Sequence, residues 1–134
     1  SQRVDKEPPG EKTASLFASS AAIGAYIAGC GKEEAMRFHA FGENVGIAYQ
    51  IVDDLLEFLD ELDDKKSTQE SVTLPQIYNR TMGRDEAVQG TIAEVHKYVG
   101  FAKELLSTFR PCEARDQLLL ITNYITVDLL PKTT

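Results

Sequence analysis

The sequence predicts an all-α helical bundle, and three observations carry the prediction. Apolar residues recur at three- and four-residue spacing through most of the chain, and no stretch alternates apolar and polar residues as a half-buried strand would. Glycine and proline fall at Gly29, Gly31, Pro75, Gly83 and Pro111, cutting the chain into helix-length pieces. Hydrophobic content of 43% and charged content of 26% are those of a folded globular chain. At 134 residues the chain is one domain, large enough to bury roughly two-thirds of its unfolded surface.

The elements follow in order. Residues 1–11 are polar and carry Pro8-Pro9-Gly10, which predicts a flexible arm or connection. From Lys12 to about Cys30, Leu16, Ala18, Ile23, Tyr26 and Ile27 stand among small residues in a helical pattern that Gly29 and Gly31 end. The small-residue content of Leu16 to Cys30 reads as a tightly packed core helix rather than a membrane span. A second helix runs from Glu33 to about Leu62, interrupted only by Gly42 and Gly46, for about 45 Å. Residues 63–72 are a polar loop. Thr73-Leu74-Pro75 opens a short helix to Met82, with proline in the first turn, where a missing N–H costs nothing. Asp85 to Phe109 gives another helix, carrying Val88, Ile92, Val95, Val99, Ala102 and Leu106 at core spacing. After Pro111, Glu113 to Leu130 gives the last. Several helices, the last most clearly, are apolar over more than half their circumference, so they need partners on most sides. Those partners lie in another part of a longer chain or in an oligomer.

The formal net charge of −7 argues against nonspecific binding to nucleic acid or anionic lipid. Acidic substrates would have to be met by local lysine or by metal. No apolar run reaches membrane-spanning length and no secretory signal is visible. Cys30 and Cys112 lack metal-ligand spacing and read as reduced thiols of a cytoplasmic protein.

The stretch Gly46 to Glu57, GIAYQIVDDLLE, holds the candidate chemistry. On a helical wheel Ile47, Ala48, Ile51, Val52, Leu55, Phe58 and Leu59 fill an apolar arc. Gln50, Asp53, Asp54, Glu57 and Glu61 share the opposite side. Periodicity alone makes that side a solvated face. Three details argue for a site. Gly42 and Gly46 lie on the same side, each costing roughly 1 kcal/mol against alanine in a helix, which implies close approach by a helix or ligand. Asp53, Asp54 and Glu57 have no Lys or Arg at i+4 to pair with them, and only Glu61 has one, Lys65. Asp53 and Glu57 stand one turn apart, so both can reach one hard cation such as Mg2+.

Lys12-Thr13-Ala14 before a small-residue helix, then GxxxGxAYQIxDDLLE, then VTLPQIY, resembles the C-terminal half of the trans-isoprenyl diphosphate synthases, or polyprenyl synthetases. The motifs cover about residues 12–82, and the later helices fit by pattern only. The resemblance implies an isoprenoid-synthase-type fold, with residues 12–134 as the C-terminal half of such a domain. It also implies a head-to-tail prenyltransferase that joins isopentenyl diphosphate to an allylic diphosphate with Mg2+, working as a homo- or heterodimer. Carried over by position, Lys12 would contact the allylic diphosphate and Thr13 would lie beside the reacting carbon. Tyr49, in place of the family's Phe, and Gln50 would lie near isopentenyl diphosphate. Asp53 would ligate metal directly, with Asp54 and Glu57 supporting it.

The departures are specific. Glu57 stands where the family usually has Asp. The loop before Thr73 is shorter, and the family's Gly-Lys would fall at Glu70-Ser71, so that diphosphate-binding lysine is missing; Lys65 and Lys66 are the nearest substitutes. The first Asp-rich motif is absent, and Asp63-Asp64 follows the second motif and cannot replace it. The chain therefore holds half an active site. Two other readings stand beside the catalytic half: a non-catalytic or regulatory subunit of a heteromeric synthase, and a helical interaction module with a solvated acidic face. His39 and His96, on different helices without companions, read as structural or surface residues. Ser19-Ser20 reads as helix packing, and Tyr26, Phe38 and Phe41 read as core.

Overall fold

A 33-residue helix, α2 (Lys32–Asp64), forms the axis of the molecule and spans about 50 Å at 1.5 Å per residue. The computed structural model describes residues 9–64 and 73–132, with side chains over 13–61 and 73–132. Among these residues there is no strand, and the order is α1 (Pro9–Ile27), α2, α3 (Leu74–Met82), α4 (Arg84–Ser107) and α5 (Glu113–Tyr124), closed by a π-helical turn, Ile125–Leu129.

Helix α1 begins at Pro9, three residues before the expected Lys12. Proline suits this first position because its absent N–H would have had no acceptor there. Residues 1–8 of the expected arm lie outside the described residues. The C-terminal end of α1 is a Schellman turn. Cys30 N donates to Ala25 O at 3.0 Å and Gly29 N to Tyr26 O at 3.0 Å, with Gly29 at φ +94°. That φ is strained for any residue with a Cβ. The chain then reverses and α1 lies antiparallel on α2.

Helix α4 covers another side of α2. Phe38, near the start of α2, stacks on Phe109, just past α4, with ring centroids 4.3 Å apart, so these two also run antiparallel. The core lies along this seam. Phe41, Val45, Ala48, Val52, Leu55 and Phe58 from α2 meet Val95, Val99, Ala102 and Leu106 from α4. The apolar arc read from the wheel is this buried face. Thr91, fully buried in α4, satisfies its hydroxyl by donating to Ala87 O at 2.8 Å. Helix α3 is entered through Thr73, whose N–H donates to Gln76 Oε1 at 3.0 Å, with Pro75 buried in its first turn. Gly83, at φ +89°, separates α3 from α4.

The last helix departs from expectation. Regular α structure stops at Tyr124, and Leu130 N reaches back to Ile125 O at 3.2 Å, the wider π spacing. Five residues apart on an α-helix means about 140° apart around its axis. The widened turn brings Ile125 and Leu130 to the same core, at 3% and 6% exposed.

Two expectations are corrected. Tyr26 is not core: it is 71% exposed, beside exposed Ile23 and Ile27. Nor is α1 surrounded. Its inner face, with Ala14, Ala18 and Ala25, is buried on α2, while Leu16, Ile23, Tyr26 and Ile27 face outward because no second helix of the described residues packs there. Phe41 is core, as expected. Phe38 is half-buried and packed on Phe109.

Candidate functional site

The site is built where α1 docks on α2. A Cβ added at Gly42 would lie 2.5 Å from Phe17 O and 3.0 Å from Ala18 Cα, and one at Gly46 would lie 2.8 Å from Ala14 Cα. These are backbone approaches, so the expected close approach on this side of α2 is made by a helix. Phe17 also reaches Tyr49, with ring centroids 6.1 Å apart. Ala14 on Gly46 and Phe17 on Gly42 set an antiparallel register. It brings the first turns of α1, the backbone of Lys12 and Thr13 included, level with Ile47 to Gln50. The sector of α2 that carries glycine beneath α1 carries acid immediately beyond its end.

In that sector the carboxylates of Asp53, Asp54 and Glu57 converge, each offering an oxygen within 4.8 Å of the other two. The helical period places them, since residues three and four apart share a face. Asp53 is exposed, whereas Asp54 and Glu57 are half-buried. Gln50, one turn earlier, donates from Nε2 to Asp54 Oδ1 at 3.0 Å. Burial pushes the Asp54 carboxyl above its ordinary range. The Gln50 hydrogen bond opposes that shift, and the charges of Asp53 and Glu57 add to it. Among the described residues the charges acting on Asp54 are negative, those of Asp53 and Glu57. The N-terminal end of α1, where the helix dipole is positive, points toward this end of the groove.

The donor set is all oxygen and all carboxylate, the chemistry a hard divalent cation takes. Oxygens spaced within 4.8 Å suit an ion held partly through its own waters, as Mg2+ usually is. The residues present fit such an ion. Glu61, expected on the same stripe, stands a turn further along and is not among the converging acids. Its Oε1 is buried with no hydrogen-bond partner among the described residues.

Of the other expected site residues, Thr13 is half-buried in α1, and Tyr49 is 46% exposed beside Phe17. The side chains of Lys12, Asp63 and Asp64, and residues 65–72 with Lys65, Lys66, Glu70 and Ser71, lie outside the described residues. Phe17 was not singled out from the sequence. Its position one turn after Thr13 was the available signal, but only the register of α1 on α2 shows that it meets Tyr49. His39 and His96 are exposed on α2 and α4. Cys30 and Cys112 are free thiols, and Cys112 Sγ accepts from Arg115 N at 3.4 Å to cap α5. No helix among the described residues is long and apolar enough to cross a membrane.

Comparison with known proteins shows the family and the fold. The chain is 54% identical over 120 residues to a geranylfarnesyl diphosphate synthase of Methanosarcina mazei, covering 90% of the chain and 41% of that protein. It is 38% identical over 90 residues to the heptaprenyl diphosphate synthase component 2 of Geobacillus stearothermophilus, covering 63% of the chain and 27% of that protein. The solved structure of a geranyltranstransferase from Methanosarcina mazei matches with a TM-score of 0.80 at 52% identity, covering 90% of the chain and 42% of that structure. The fold is therefore of the isoprenoid-synthase helical type. The chain spans less than half the length of these relatives. The polyprenyl synthetase family model matches residues 9–104, and the chain belongs to that family.

Proposed function

We propose that this chain forms one wall of a prenyl-transfer site at which isopentenyl diphosphate is joined to an allylic diphosphate. The observation that carries the reading is the convergence of Asp53, Asp54 and Glu57 beside the docked first turns of α1. These three carboxylates would hold Mg2+, Asp53 directly and the other two in support. When bound, such an ion supplies charge neutralisation to a leaving diphosphate. Gln50 holds Asp54 by its hydrogen bond and, with Tyr49, would lie near isopentenyl diphosphate. Lys12 would meet the allylic diphosphate as a point charge, and Thr13 would lie beside the reacting carbon. Apolar packing of Phe17 against Tyr49 would shield this end of the groove from water, which an allylic cation requires.

In this reading residues 12–134 are the C-terminal half of the synthase domain. The first Asp-rich motif would come from a complementary half in the same or another polypeptide, and the assembled protein would be a cytoplasmic homo- or heterodimer. The names of two relatives support a heteromeric arrangement: the Geobacillus protein is a synthase component, and a chloroplastic Arabidopsis thaliana relative, 32% identical over 108 residues, is the large subunit of a heterodimeric geranylgeranyl pyrophosphate synthase. Absence of the loop lysine at Glu70-Ser71 favours, as second reading, a subunit that tunes a competent partner. Titration calorimetry tests the first. Pyrophosphate should bind in the presence of Mg2+, and Asp53→Ala should weaken that binding at least about tenfold. Binding that the substitution leaves unchanged would leave only the helical interaction module.

A further inference from the structure

We propose that Gly42 and Gly46 are positioning residues that set the width of this site, an inference that rests on the diphosphate reading above. The carboxylates and Gln50 all belong to α2, whereas Lys12 and Thr13 belong to α1. Nothing within α2 fixes the distance between the two groups. That distance is set by how deeply α1 sinks onto α2, and at both glycines it sinks to backbone contact. The atoms a Cβ at Gly42 would meet are Phe17 O at 2.5 Å, Phe17 C at 2.9 Å and Ala18 Cα at 3.0 Å, none of which a rotamer change can move. At Gly46 they are Ala14 Cα at 2.8 Å, then Phe17 Cβ and Cγ at 3.2 and 3.3 Å. Any side chain at either position lifts α1 as a body.

Two features make this lift act on the site rather than on stability alone. Gly46 lies one turn from Gln50, and its nearest neighbour, Ala14, is adjacent to Thr13, so the fulcrum stands next to the residues it would separate. Phe17 links both glycines to Tyr49 across the groove. By contrast Gly24, in the same α1, has no atom within 4 Å of where its Cβ would stand, and alanine there leaves the docking untouched. A displacement on the order of 1 Å is the scale at which misplaced groups lose up to about a hundredfold in rate.

The test separates the two walls. Mg2+ alone and then inorganic pyrophosphate with saturating Mg2+ are titrated by calorimetry into the parent chain, Gly46→Ala and Gly24→Ala, with helicity followed by circular dichroism. Gly46→Ala should keep Mg2+ affinity within about threefold, because the acids share one helix. It should weaken pyrophosphate at least about tenfold, because Lys12 has moved away. Gly24→Ala should change neither. Pyrophosphate affinity retained in a helical Gly46→Ala, or Mg2+ and pyrophosphate lost in equal measure, overturns the proposal. Should Gly46→Ala alone fail to fold, the double variant Phe17→Ala, Gly46→Ala is compared with Phe17→Ala, since removal of the ring leaves α1 room to tilt. Equal pyrophosphate affinity in that pair also overturns it. A parent chain that binds Mg2+ but no pyrophosphate refutes the diphosphate reading, and this inference with it.

Discussion

At Asp54 burial and two neighbouring acids favour the protonated carboxyl, while one donor, Gln50 Nε2, favours the charged one. Burial is the largest of these influences, and the folded state holds this proton more tightly than the unfolded chain does. Stability contributed by the protonated group is therefore fully present below the unfolded value of 3.8 and is lost as pH rises through the raised folded value. Asp54→Asn keeps an oxygen for Gln50 to donate to. Without metal it should stabilise the protein at neutral pH and have no effect near pH 3, measured by urea unfolding across pH. Excess Mg2+ should reverse the order, stabilising the parent more than the variant, and a chelator should restore it. The three acids and Gln50 were legible in the sequence because one helix carries them all and the helical period alone brings them together. The depth of Asp54 and the Phe17–Tyr49 contact were not, because each depends on a second helix.

The five helices were legible to within a few residues, since each is bounded by glycine, proline or a polar loop. The differences lie at ends where tertiary packing competes with the local signal. Helix α1 starts earlier, at Pro9, and its terminus is the Schellman turn at Gly29. Alanine at Gly29 must adopt φ +94° and should cost about 1 kcal/mol, whereas Gly24→Ala in the same helix should be neutral or gain up to about 1 kcal/mol. Chemical denaturation of the two variants checks both, and equal effects would mean that the turn does not constrain the chain. The π turn at Ile125–Leu129 carried no recognisable signal. It exists because Ile125 and Leu130 both reach one core, a demand the sequence pattern of α5 does not state.

Helix α2 is covered by α1 on one side and by α4 on another, and among the described residues the outer faces of α1 and α5 are not covered. Leu16, Ile23, Tyr26 and Ile27 on α1, and Leu120, Ile121, Tyr124 and Val127 on α5 and its π turn, are 52–81% exposed. Under the proposal of a complementary half, such faces are where it would pack. Ile27→Glu, at a side chain 81% exposed, should leave the chain's own urea midpoint equivalent to within about 0.5 kcal/mol. In a protein containing both halves it should lower stability by clearly more, and equal effects would argue against burial of this face. The sequence by itself determined the helical class, the order of the helices and the line of acids on α2, because helical period, turn residues and neighbouring charges are local properties. Only the tertiary structure decided that α1 rests at backbone contact on Gly42 and Gly46, that its first turns stand beside the acids, and that its outer face is uncovered among the described residues. Those facts depend on where one helix sits against another, a matter of close packing that no local pattern encodes.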